Sequence, residues 1–122
     1  MGKSVAPIRG DMSTPKTTDV PVHIESSDEL DELIADSAVV LVDYHADWCG
    51  PCKMLEPTVK EIAEETDAVV AKVDIDELQE LAREQGIRSV PTLQFYAGGE
   101  QVKEVIGVQS KEDLVDIIEA AA

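Results

Sequence analysis

Two nearly unbroken apolar runs, "AVVLVDYHA" over residues 38–46 and "AVVAKVDI" over residues 68–75, constrain the fold of this chain more than any other feature. A strand with one wet face alternates apolar and polar residues, so runs without alternation read as central strands covered on both faces. Between them, Leu55, Val59 and Ile62 recur at helical spacing. This predicts a helix from about Gly50 to Thr66 with a kink at Pro57. A helix joining two buried strands is the usual crossover of a parallel pair.

The flanking sequence supplies the remaining layers. "PVHIE" reads as a short first strand, and Ser26 with Glu29 resembles a capping box opening a helix with Leu30, Leu33 and Ile34 on one face. A short helix carrying Leu78, Leu81 and Ala82 should stop at Gly86, and "PTLQFYAGGEQVKEVI" reads as a hairpin turning at Gly98-Gly99. Ser110 and Asp113 cap a last helix with Leu114, Ile117 and Ile118 inward. The pattern predicts an α/β fold with a central mixed sheet of about five strands, flanked by about four helices on both faces. One domain is expected over residues 22–122, without internal repeats, preceded by a flexible tail over residues 1–21 that holds three prolines and little apolar pattern.

Only four residues are aromatic, so the core should be built from small aliphatic side chains. Twenty-six acidic against ten basic residues give a formal charge of -16, which would repel phosphate backbones and anionic membrane surfaces. No nucleic-acid or membrane partner is therefore expected. Such self-repulsion opposes compaction unless salt screens it, which points to a salt-loving source. The longest apolar run in the tail, "VAPI", is too short for a signal-peptide core, and Ala6 breaks a myristoylation pattern. Met12 offers an alternative start. A cytoplasmic location is expected, where two closely spaced cysteines mean metal or redox chemistry more often than a structural staple.

Those cysteines lie in "ADWCGPCKMLEP", at the carboxyl end of the first buried run, where sites on such sheets tend to fall. If the helix begins near Gly50, Cys49 occupies its N-cap. Free backbone N–H groups and the positive helix end then favour a Cys49 thiolate, making it the nucleophile. Cys52, one turn on, lies within the roughly 4.4–6.8 Å of Cα separation that a disulfide tolerates, so the pair forms a reversible switch. Pro51 is acceptable in a first turn and stiffens the loop, while Gly50 leaves room for a partner's backbone. The absence of charge between the cysteines argues for a reductant over a strong oxidant. A zinc site would need His23 and His45 as further ligands, but these lie on separate strands with no second close-spaced pair. No metal or cofactor is expected beyond the cysteine pair itself.

"VDYHADWCGPCK", "AKVDID", "IRSVPTLQFYAGGEQ" and "VIGVQSKEDL" together resemble the thioredoxin family from about residue 22 to the end. The resemblance implies dithiol-disulfide exchange: Cys49 attacks a target disulfide, Cys52 resolves the mixed disulfide, and a thioredoxin reductase recycles the product. Disulfide-containing proteins would be the targets, and the protein is expected to act as a monomer. A nonredox peptide-binding adaptor and an oxidase or isomerase are the competing readings.

The resemblance also carries roles for neighbouring residues. Asp43, placed by alternation on the strand face of Leu41 and His45, would be buried and would accept the Cys52 proton during resolution. A strand-end aspartate capping nearby backbone is the alternative. Lys72 is similar in position to the family's lysine beside that aspartate, or else it only reaches solvent. Val90-Pro91 is implied to be cis, although sequence alone predicts trans, with the Val90 backbone pairing to an extended substrate. Trp48, Gly50, Pro51 and Gly107 would complete a shallow apolar docking surface. His45 departs from the family pattern, which has tryptophan there. Either it packs passively, or it places a titratable proton donor near the thiolate or near Asp76 and steepens the rate between about pH 6 and 8.

Overall fold

The computed structural model describes residues 18–122, so the expected tail lies outside the described residues except for its last four positions. The elements run β1 (Val22–His23), α1 (Ser27–Asp36), β2 (Val39–His45), α2 (Gly50–Glu65), β3 (Val69–Asp74), α3 (Gln79–Glu84), β4 (Thr92–Ala97), β5 (Glu100–Ile106) and α4 (Lys111–Ala121). The five strands form one mixed sheet in the order β1-β3-β2-β4-β5. The β1–β3 and β3–β2 pairs are parallel, while β2–β4 and β4–β5 are antiparallel. The chain therefore has the expected α/β architecture, with five strands and four helices among the described residues.

The continuous apolar character of β2 has a direct cause. Val39 and Leu41 join Leu55, Val59 and Ile62 of α2 and Leu114 and Ile118 of α4 on one side of the sheet. Val40, Val42 and Tyr44 join Leu30 and Ile34 of α1 and Leu81 of α3 on the other. Both sets of alternating positions face a core, where an unpartnered polar group is costly. Each fully buried aliphatic side chain contributes roughly 1.5–3 kcal/mol. Of the aromatic residues, Tyr44 and Phe95 are fully buried, and the Tyr44 hydroxyl donates to Gln94 Oε1 at 3.2 Å.

Local signals set the ends of the elements. Ser26 Oγ accepts from the Glu29 backbone N–H at 3.1 Å, and Ser110 Oγ accepts from that of Asp113 at 3.1 Å. Such caps are worth about 1 kcal/mol each. The expected box around α1 closes one residue early, because Glu29 Oε1 accepts from the N–H of Glu25, at 2.7 Å. Pro57 sits inside α2, which continues on both sides of it as one element. Gly98 and Gly99, with φ of 60° and 87°, make the hairpin turn in a conformation that side-chain-bearing residues resist. The first strand is shorter than "PVHIE" suggests. At the sheet edge it pairs only with β3, although Ile24 N–H still donates to the Lys72 carbonyl at 2.9 Å.

Candidate active site

The parallel β2–α2 connection places Cys49 where a buried strand ends and a helix starts. Cys49 is the N-cap of α2, with extended backbone (φ -92°, ψ 107°), and its Sγ accepts from the Cys52 backbone N–H at 3.1 Å. A free N–H and the positive helix end thus both act on this sulfur, the combination that lowers a thiol's proton affinity. Cys52 sits within the first turn, and the two cysteines are joined as a disulfide with Cα atoms 5.3 Å apart. Pro51 occupies the first turn without costing a hydrogen bond. Cys49 is nonetheless not open to water. It is 3 % exposed and Cys52 is 5 % exposed, both packed with Ala46, Ile75 and Val90. Exposure does not distinguish the two sulfurs; position at the helix start does.

A second loop faces the disulfide. The Val90-Pro91 peptide bond is cis, as the resemblance implied, and the Val90 carbonyl oxygen lies 3.6 Å from Cys49 Sγ. Gly107 N–H donates to the Pro91 carbonyl at 2.8 Å with φ of 94°, a backbone that favours glycine. Thr92 Oγ1 donates to the Ser89 carbonyl at 2.7 Å and braces the same turn. Trp48 is 69 % exposed, with its indole N–H donating to Asp76 Oδ2 at 2.9 Å. Gly50 and Pro51 are exposed, Val90 and Gly107 half-buried, and Pro91 buried.

Beneath the first turns of α2 lies a set of charged groups on the α2 side of the sheet. Asp43 is buried, and its Oδ1 makes no hydrogen bond among the described residues. Burial pushes its carboxyl up to about 6; Lys72 opposes this, and Glu56 adds to it. Lys72 is the register partner of Asp43 on the adjacent β3, so both side chains leave the same sheet face. Its Nζ donates to Glu56 Oε2 at 2.9 Å. That bond holds the Glu56 carboxyl below its usual value. His45 is half-buried, and its Nε2 likewise has no hydrogen-bond partner. Burial, then the Lys72 charge, lower its pKa below 6.5.

Residues 21–120 match the family model "Thioredoxin". The chain belongs to the thioredoxin family. It is similar to a mutant thioredoxin from Halobacterium salinarum NRC-1, with 51 % identity, a TM-score of 0.84, and coverage of 88 % of this chain and 96 % of that one. A thioredoxin from Mycoplasmoides gallisepticum is 39 % identical over 97 residues, 79 % of this chain and 97 % of that protein. A bifunctional thioredoxin reductase/thioredoxin from Mycobacterium leprae is 36 % identical over 113 residues, 88 % of this chain but 25 % of that protein. The Cys49–Cys52 pair, at disulfide distance within this thioredoxin domain, suits dithiol-disulfide exchange.

Within this thioredoxin fold, Val90 packs against the two cysteines and Gly107 bonds Pro91 next to it, but Asp76 does not pair with His45. Asp76 binds the Trp48 indole, whereas the carboxylates acting on His45 are Asp74 and Asp47. His23, the other candidate zinc ligand, bonds Glu77 at 3.2 Å, and no group of three or more potential ligands converges among the described residues. Sequence reasoning misses three features. Asp74 Oδ1 accepts from the N–H groups of Asp76 and Glu77, at 2.8 and 3.3 Å, and so shapes the turn that carries Asp76. An aspartate two residues before another turn residue is the available signal. Met54 and Ile106 are 71 % and 62 % exposed, apolar residues that strand and helix periodicity alone would not flag. Glu56 is missed because nothing local marks it.

Proposed function

We propose that this chain is a general protein disulfide reductase. The carrying observation is the Cys49 sulfur, held at the N-cap of α2 with the Cys52 N–H directed at it and Cys52 already bonded to it. The Cys49 thiolate attacks one sulfur of a target disulfide, forming a mixed disulfide and releasing the other target sulfur as a thiolate that takes a proton from water. Cys52 then gives its proton to the Asp43 carboxylate and attacks Cys49 Sγ, and the second target thiolate leaves. Two electrons pass from the dithiol to the target, and the Cys49–Cys52 disulfide remains. A carboxyl with pKa about 6 accepts and returns a proton near neutrality more readily than an ordinary aspartate. Lys72 limits the cost of that buried charge.

Trp48, Gly50 and Pro51 on one side, with Val90, Pro91 and Gly107 on the other, form the surface on which an extended target segment docks. The Val90 backbone acts as a strand edge for it. His45 and Asp76 tune the site, His45 through its half-buried ring of lowered pKa and Asp76 by holding Trp48. The exchange needs no cofactor beyond the disulfide. A thioredoxin reductase is the recycling partner, a reading supported by the Mycobacterium leprae protein in which the two activities share one chain. The unit that acts is the domain over residues 22–122, as a monomer, with residues 1–21 as a tail outside the chemistry. The location is cytoplasmic, and the charge of -16 together with the similarity to the Halobacterium salinarum protein supports a halophilic source.

Reduction of a model protein disulfide by wild type, Cys49→Ser and Cys52→Ser tests the assignment. Cys49→Ser should abolish reduction, and Cys52→Ser should stall at a mixed disulfide on Cys49. Undiminished reduction by either variant would refute this assignment of the two sulfurs, and no reduction by wild type would leave only an adaptor role.

A further inference from the structure

Lys72 stands directly across from Asp43 on the neighbouring strand, on the same side of the sheet, and is the cation that acts on this buried carboxyl. Yet Asp43 Oδ1 receives no hydrogen bond, while Lys72 Nζ sits 2.9 Å from Glu56 Oε2. The Lys72 side chain is 16 % exposed and Glu56 is 58 % exposed, so the ammonium is drawn from beneath α2 toward the rim. Glu56 lies four residues after Cys52, on the same face of α2. The carboxylate that holds the lysine is thus carried by the element that carries the resolving thiol.

We propose that Glu56 is a positioning residue: by holding the Lys72 ammonium at the helix rim, it prevents that cation from closing on Asp43 and so keeps Asp43 able to take a proton. This rests on the reading of Asp43 as proton acceptor and adds the group that sets its proton affinity. An ammonium fully engaged with Asp43 would fix it as a carboxylate at neutral pH, a poor acceptor. With no cation near, the buried carboxylate would hold its proton too tightly to accept another. The pairing with Glu56 keeps the charge close but unbonded. The charged groups acting on Asp43 are Lys72 from β3 and Glu56 from α2, with Lys53 and His45 acting on Glu56; Cys52 shares the Glu56 face of α2, and His45 leaves the same face of β2 as Asp43. β4 sets Leu93 opposite Asp43, and α4 adds Leu114 and Ile118 to this side of the sheet, none of them charged.

The test is a carbon-13 NMR titration of the Asp43 carboxyl in the oxidised protein, where no thiol titrates, for wild type, Glu56→Gln, Lys72→Met and the double variant. Glu56→Gln should lower the Asp43 midpoint by about half to one pH unit, because an anion is lost and the lysine is freed. Lys72→Met should raise it. In the Lys72→Met background, Glu56→Gln should have less than about half of its effect, since only direct charge remains. An equal effect in both backgrounds, or a midpoint that stays or rises in Glu56→Gln, overturns the positioning role. The underlying reading has its own control, because Asp43→Asn must flatten the pH profile of mixed-disulfide resolution in Cys49-linked complexes. A profile indifferent to Asp43→Asn removes both ideas, whereas a flattened profile with an unmoved Glu56→Gln midpoint removes only this one.

Discussion

A buried carboxyl with a raised pKa destabilises the fold whenever it is ionised, and replacing Asp43 with asparagine exposes that cost. The carboxyl titrates at about 6 in the folded chain and near the ordinary 3.8 when unfolded. Between those values the folded state binds more protons, so stability falls as pH rises from 3.8 through 6 and then stays lower. The gap of about 2 units corresponds to roughly 3 kcal/mol at pH 7. Asp43→Asn, which resembles the protonated acid in size and charge, should therefore lie within about half a kcal/mol of wild type near pH 4. It should gain the full amount of roughly 3 kcal/mol above pH 7, which is on the order of 10 °C in Tm for a domain of this size. Urea unfolding of the oxidised proteins from pH 4 to pH 8 at fixed KCl gives the two curves. His45, whose pKa is lowered, contributes an opposite slope below pH 6.5, but it does so in both proteins and cancels in the difference. Parallel curves, with the same offset at pH 4 and pH 8, would refute the burial argument.

Two further outcomes follow from the same site and surface. Burial and then the Lys72 charge lower the His45 pKa, so its effect on the reduction rate should appear below pH 6.5, lower than the window of pH 6–8 expected from an unperturbed ring. His45→Trp should remove that inflection, and identical pH–rate profiles would assign the ring a packing role only. Raising KCl from about 0.1 M to 1 M shortens the screening length from roughly 10 Å to 3 Å. A chain of charge -16 should then melt several degrees higher, and a flat or falling Tm would count against a salt-adapted surface.

What can be read from the sequence follows the range over which each determinant acts. Ser26 and Ser110 reveal helix starts because cap and donor lie three residues apart, and Gly98-Gly99 reveals the hairpin because its φ angles are a property of two residues. The two faces of β2 are legible because burial on both sides leaves no alternation to confuse. Cys49 and Cys52 need only a helix start and a spacing of three. β1 is overread, since the apolar content of "PVHIE" says nothing about how many partners an edge strand finds. The covered state of Cys49 arises from Ile75 and Val90, distant in sequence and brought over the sulfur only by the fold.

The electrostatics of Asp43 mark the sharpest boundary. Its burial is legible from strand alternation, but its proton affinity depends on where Lys72 points, and that depends on Glu56. Glu56 lies 16 residues from Lys72 along the chain, and only the β2–β3 register and the docking of α2 bring it within bonding distance. A lysine in an apolar strand looks the same in sequence whether it neutralises a buried acid or is held away from it. The two arrangements predict different displacements of the Asp43 midpoint when Glu56 is neutralised: a larger downward one if the lysine is released toward Asp43, and only the smaller effect of the lost Glu56 charge if the lysine was already there. The open Oδ1 of Asp43 favours the first.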